Sequence, residues 1–256
     1  MRIFCLFSLC LIIFNKPLFA SQNKNVVVFA EQNMALPIVK ISRLYSQKTG
    51  VIVSASFNFS EELVKNIDFG EQVDVFISGQ RDQIELLKLK GLVDVYNIGY
   101  IAYDRMVLIS DESNKEFPQK LIGKNFSKAL KFLNQNNAEL IIDNNINTAG
   151  LIEKDFIQEI ENNPDFSQIK IFRKIDEDRS SILESLKENK GKYVITLASK
   201  ISNKNGYKIL SRSDKSIFYQ ALVIAGNNME NSREFLSFLK SPQARLVFKE
   251  SGFITD

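Results

Sequence analysis

Asn33 and Ser60 are the residues in this chain whose setting most clearly suits chemistry. Asn33 closes the turn Glu31-Gln32-Asn33 between an apolar extended run, Val26–Ala30, and an amphipathic segment running from Met34 to Gly50. Ser60 opens a second amphipathic segment, residues 60–70, directly after the extended run Val51–Phe57. Each therefore delivers a short polar side chain to a helix N-terminus, where unpaired N–H groups and the positive end of the helix dipole favour anions. Both residue types also serve well as plain helix N-caps, and the two roles are compatible. The chemistry implied is the holding of a small anion, not its transformation.

The composition removes most catalytic alternatives. Residues 1–20 read as a cleavable export signal: Arg2 supplies the positive charge, Ile3–Phe14 the apolar core and Leu18-Phe19-Ala20 a cleavage site before Ser21. The apolar run is too short to span a bilayer, and no later segment approaches ~20 apolar residues. Both cysteines, Cys5 and Cys10, fall inside the signal, and the chain has no histidine. Thiol catalysis, Ser-His triads and the common zinc sites are thereby excluded, and no cofactor or metal is expected. Losing Arg2 and Lys16 leaves 31 basic against 30 acidic residues, a net charge of +1. The charges are interspersed, with no basic stripe for nucleic acid. Asp176-Glu177-Asp178 is the one dense acid cluster near the expected ligand cleft, and it reads as the first turn of a helix, where acids stabilise the dipole. The chain is expected to be a binder and not an enzyme.

The elements that must position these residues alternate strand with helix, which predicts an α/β fold with mostly parallel sheets. Strands are predicted at Val26–Ala30, Val51–Phe57, Val73–Ile77, Glu139–Asp143, Ile169–Phe172 and Tyr193–Leu197. Ile152, Phe156, Ile157 and Ile160 form one apolar helix face, and Ile182, Leu183 and Leu186 another. Asn144–Asn147 and Asn203–Gly206 read as loops. Two long extended runs, Tyr100–Ser110 and Ser216–Ala225, break the alternation. They predict two lobes joined by two hinge strands: residues 21–102 plus 220–256 in the first lobe and 103–219 in the second. Ligand is then expected in the interlobe cleft, with Tyr100, Tyr103 and Tyr219 packing the hinge.

The ordered set of motifs resembles the periplasmic molybdate-binding proteins. The segments are the opening VVVFA-EQN-MALPIVKISRLYSQKTGV, the SF-containing strand with its Ser60 helix, FGEQVDVFIS, and the tail FLSFLKSPQARLVFKESGF. The resemblance covers nearly all of the chain beyond the signal. It implies a type II periplasmic-binding fold, a tetrahedral oxyanion ligand, a membrane ABC permease as partner, a periplasmic location and a monomer.

That family grips its oxyanion through hydroxyls and backbone N–H groups without a counter-charge. Carried over by position, the resemblance implies ligand contact at Asn33, where the family has serine, and at Ser60, which is retained. It also implies a backbone donor at Ala149, a second backbone donor at Arg179, and Leu197 in place of a tyrosine, or Thr196 if the register slips by one. Arg179 reads either as a surface cation paired with Glu177 or Asp178, or as a guanidinium able to clamp a carboxylate or phosphate. Glu31 reads as solvent-facing, as a partner for Arg179, or as an acceptor for a ligand amine. Two functions follow: delivery of a molybdate- or tungstate-like oxyanion to an importer, or a divergent receptor for another anion (phosphate, phosphonate, carboxylate or zwitterion) using Arg179.

Overall fold

The computed structural model describes residues 25–112, 122–123, 125–143, 151–174, 186, 193–202, 205–226 and 228–255. The signal segment, Ala149, Arg179, the loop at 144–147, residues 203–204, and Ile182 and Leu183 lie outside the described residues. Of the two predicted helix faces, the described side chains Ile157, Ile160 and Leu186 are buried, as core residues should be.

The predicted alternation is realised. β1 (Asn25–Glu31) leads through a single 3-10 turn (Gln32–Met34) into α1 (Ala35–Thr49); β2 (Ile52–Asn58), α2 (Ser60–Asp68), β3 (Val75–Ser78) and α3 (Arg81–Leu89) follow. α1 buries Ile38, Ile41 and Tyr45 on one stripe. It stops at Gly50, whose φ of 75° forms a left-handed C-cap donating to the Ser46 carbonyl. β4 (Val93–Asp111) then precedes α4 (Phe126–Gln135), β5 (Glu139–Asp143), α5 (Leu151–Asn162), β6 (Lys170–Lys174), β7 (Tyr193–Leu197) and the short α6 (Ala198–Ile201). β8 (Tyr207–Ile224), α7 (Met229–Leu239) and α8 (Pro242–Glu250) complete the chain. The α7 helix packs back on α1, with the Tyr45 ring 5.1 Å from Phe235 and 5.2 Å from Phe238.

The strands form one eight-stranded sheet in the order β2-β1-β3-β8-β4-β7-β5-β6. β2, β1 and β3 are mutually parallel, as are β7, β5 and β6; β8 and β4 run antiparallel to their neighbours and to each other. The fold is thus mixed α/β, two mostly parallel half-sheets with flanking helices joined by two long strands. One face of the whole sheet covers a continuous core that includes Val28, Ile38, Tyr219, Leu130 and Ile195. The opposite face carries two separate clusters, around Phe76 and Leu222 in one half and around Val107 and Val194 in the other.

Register fixes where the strand ends point. Ser78, the last residue of β3, pairs with Gln220 in the interior of β8, and Leu197, the last of β7, pairs with Met106 in the interior of β4. The C-terminal ends of both parallel sets therefore converge on one junction, residues 103–106 of β4 and 217–220 of β8. Irregularities in the β4–β8 ladder bracket it, between Tyr100 and Ala102 and between Arg105 and Val107. In open α/β sheets the carboxyl ends of strands are where ligands bind.

Candidate functional site

Three strand ends meet at the junction: Glu31 ends β1, Asn58 ends β2 and Ser78 ends β3. Because Ala30 pairs with Ile77 in a parallel register, Glu31 falls beside Ser78, 47 residues on in the sequence. Its side chain is 2% exposed and turns inward. One carboxyl oxygen, Oε1, accepts from Ser60 Oγ at 2.6 Å, Ser78 Oγ at 2.7 Å and the Gly79 backbone N–H at 3.0 Å. Ser60 Oγ and Ser78 Oγ also lie 2.8 Å apart, and the Gln80 N–H donates to Ser78 Oγ at 2.8 Å. The other carboxyl oxygen, Oε2, is buried with no hydrogen-bond partner among the described residues.

Ser60 Oγ, Ser78 Oγ and Glu31 Oε1 form a triangle of short contacts. Two serine protons serve only two of its three sides; a protonated Glu31 carboxyl would supply the third, whereas an ionised one leaves one side without a proton. Burial pushes this carboxyl above its ordinary value, and the nearby donors of Ser60, Ser78 and the Gly79 and Gln80 backbone oppose the rise without reversing it. Gly79 is required by close approach. A Cβ there would lie 2.7 Å from Ile217 Cγ2 and 3.0 Å from Tyr219 Cε1, so any side chain would push β3 and its N–H away from Glu31.

Asn33 lies on the 3-10 turn and is partly exposed. Its Nδ2 donates to the hydroxyl of Tyr219 on β8, tying the β1 strand end to the junction. Neither Asn33 nor Ser60 acts as a cap. Phe59 occupies the N-cap position of α2 without a side-chain cap bond, Met34 does so for α1, and Ser60 is the first helical residue. Leu197 is 1% exposed and packs in the main core, while Thr196 beside it is fully buried. Of the three hinge tyrosines, Tyr219 is fully buried against Phe253 at 5.6 Å. Tyr100 is 66% exposed and meets Phe218 edge-on at 6.0 Å, so it packs the surface of the junction and not its core.

A second buried acid marks the other side of the junction. Asp104 of β4 is fully buried and accepts from the Arg105 N–H at 2.7 Å and from the Ser199 N–H at 3.3 Å to each oxygen. It thereby satisfies an N-terminal N–H of α6, just past the end of β7. Desolvation raises its carboxyl to about 6, against bonds from Ser199 and Arg105 and the charge of Lys200.

Of the residues singled out from sequence, Asn33 and Ser60 come to the junction, and Leu197 reaches its rim with an apolar, core-packed side chain. Glu31 is not solvent-facing; it sits at the centre of the donor cluster. Ser78, Gly79 and Asp104 were not legible as site residues, although Ser78 is the serine of the Phe-Ile-Ser stretch that carried part of the resemblance. Among the described residues no group of three or more metal-ligating side chains occurs, and no helix is long and apolar enough to cross a membrane.

Two parallel half-sheets that aim their strand ends at one junction, with hydroxyl and N–H donors gathered there, define a two-lobed solute-binding protein. The chain belongs to the family of bacterial extracellular solute-binding proteins, which it matches over residues 26–254. It is similar to the molybdate-binding protein ModA of Escherichia coli (strain K12), 24% identical over 234 residues that cover 89% of this chain and 88% of that protein. Among solved structures, a substrate-binding domain assigned to a molybdenum ABC transporter from Clostridium difficile matches with a TM-score of 0.73 at 18% identity, covering 91% of this chain and 99% of that one. The tungstate-binding protein TupA from Desulfovibrio alaskensis G20 matches with a TM-score of 0.66 at 15% identity, covering 87% and 92%. The resemblance to molybdate-binding proteins read from the sequence is borne out, and these relatives are binding proteins, not enzymes.

Proposed function

We propose that this protein captures a small tetrahedral oxyanion at the junction of its two half-sheets, in the periplasm, and delivers it as a monomer to a membrane ABC importer. One observation carries the reading: Ser60 Oγ, Ser78 Oγ and the Gly79 N–H, all neutral donors, converge on a single carboxyl oxygen, Oε1 of Glu31. That is the chemistry by which neutral donors hold an oxyanion. Molybdate and tungstate, the ligands in the names of ModA and TupA, are the first candidates, with Asn33, Ser60, Ala149 and Arg179 as the positions facing ligand and Leu197, its side chain packed in the core, at the rim. Residues 21–102 with 220–256 would form one lobe and 103–219 the other, with closure about β4 and β8 driven by contacts stronger in the closed form. Residues 1–20 would direct export and be removed.

The Glu31 carboxyl favours a second reading, in which the anion is not molybdate, because the buried Oε2 lacks a donor and a fully deprotonated dianion brings none. Thermal unfolding with molybdate, tungstate, sulfate, phosphate, phosphonates, small carboxylates and amino acids decides between them. At 100-fold excess over Kd a true ligand adds about 2.7 kcal/mol of stability. The absence of any shift across the oxyanions would refute the capture reading.

A further inference from the structure

Glu31 Oε2 is the unexplained atom of the junction. The side chain is 2% exposed and anchored through Oε1 by three donors from two strand ends, so the carboxyl is held in one orientation. Oε2 is left sealed from solvent with no donor among the described residues. If the carboxyl is ionised, Oε2 is an acceptor. If the proton completes the serine triangle on Oε1, Oε2 is a carbonyl oxygen and still an acceptor; only a proton on Oε2 itself would make it a donor, and that case shows as proton uptake when a deprotonated oxyanion binds. A buried acceptor without a donor is costly, and more so when charged.

Resting on the oxyanion-capture reading, we propose that Glu31 is the specificity residue of the seat and selects a tetrahedral oxyanion that carries its own proton, hydrogenphosphate or a phosphonate, whose O–H donates to Oε2. The surroundings decide the donor's identity. α2 and α3, of nine residues each, begin beside Ser60 and just after Ser78 and Gly79, so their positive ends face the same place. A ligand ammonium would sit against those ends, whereas an anion with one O–H satisfies both the helix ends and Oε2. Sulfate, molybdate and tungstate carry no proton at neutral pH and would set oxygen against oxygen. Sites built around a required hydrogen bond discriminate steeply against analogues that lack it.

The test is calorimetric titration of the purified protein and its Glu31→Gln and Glu31→Ala variants with phosphate, methylphosphonate, sulfate and molybdate at pH 7.5. Phosphate and methylphosphonate are expected to bind the natural protein at least about 100-fold more tightly than sulfate or molybdate. Glu31→Gln keeps Oε1 for Ser60, Ser78 and Gly79 but places an N–H₂ donor at the position of Oε2. It is expected to invert the preference toward sulfate and molybdate. Sulfate or molybdate binding within tenfold of phosphate overturns the proposal, as does an unchanged preference in Glu31→Gln or proton uptake on molybdate binding. Should the natural protein bind none of the four while Glu31→Ala binds sulfate, Glu31 is a plug in a genuine anion seat; selection fails and the capture reading keeps its site. Should all three folded proteins bind nothing, the capture reading itself fails.

Discussion

Replacing Asp104 by asparagine should make the protein more stable at alkaline pH and leave it little changed in acid. The carboxyl is fully buried at the junction, and its value rises from 3.8 to about 6, chiefly through desolvation. In the folded state it therefore holds a proton that the unfolded chain has already lost across that interval. Stability falls as pH rises through the window from 3.8 to about 6 and is lowest above it. The full difference is worth about 3 kcal/mol, of which roughly 2 kcal/mol is lost between pH 4.5 and pH 8. Asparagine keeps an acceptor for the Arg105 or Ser199 N–H and never charges. It gives up part of a charge-assisted bond, about 1 kcal/mol. The net gain expected at pH 8 is therefore about 1–2 kcal/mol. Urea unfolding of the natural and variant proteins at pH 4.5 and pH 8 reads this directly, and equal m-values certify that the same surface unfolds. Glu31 also rises on burial, but it is common to both proteins and cancels in the comparison. A variant that loses as much stability at pH 8 as at pH 4.5 would refute the reasoning, because it would mean that the ionised Asp104 is supported by its partners and by Lys200 more than burial penalises it.

Two further substitutions test the packing around the junction. Ser78→Ala removes one donor to Glu31 and the acceptor of the Gln80 N–H, so it should destabilise by about 1–3 kcal/mol, measured by denaturant unfolding, and weaken oxyanion binding in the same titrations. Gly252 holds φ at 88°, and a Cβ there would lie 2.4 Å from Ser202 Cβ and 2.9 Å from Ser199 Cα. Gly252→Ala should cost roughly 3 kcal/mol and lower the melting temperature by several degrees, because strain and overlap add at one position.

The strands with a clear apolar signal were legible almost residue for residue: Glu139–Asp143 and Tyr193–Leu197 have the predicted bounds, and β1 and β2 differ by a residue or so. The two junction strands were found but cut short, for a physical reason. β4 begins at Val93 and not Tyr100 through a stretch where Val95 and Tyr96 are exposed, so no apolar alternation marks it. β8 begins at Tyr207 and not Ser216, through Ser211-Arg212-Ser213-Asp214-Lys215. There the backbone ladder to β4 supplies the cohesion, and side-chain patterning cannot report it. β3 starts at Val75, two residues later than expected, and the Asp74 side chain just before it accepts from the Val27 N–H and from Asn228.

The site was legible in its residue types but not in its wiring. Local sequence put Asn33 and Ser60 at helix starts, and they are there; it could not say that Asn33 would bind Tyr219, 186 residues away, or that Ser60 would bind Glu31. Those pairings depend on β1 lying between β2 and β3, a non-sequential order that only the assembled sheet imposes. The consequence is chemical. In a seat of hydroxyls and N–H groups alone, every group that meets an oxyanion is a donor, and a deprotonated dianion fits. Adding Glu31 at the β1 end puts one acceptor among the donors and leaves Oε2 unmatched. The smallest change in ligand that restores the balance is a single proton on the anion. One residue in a turn can therefore redirect ligand choice while the fold, the junction and the surrounding donors stay as they are.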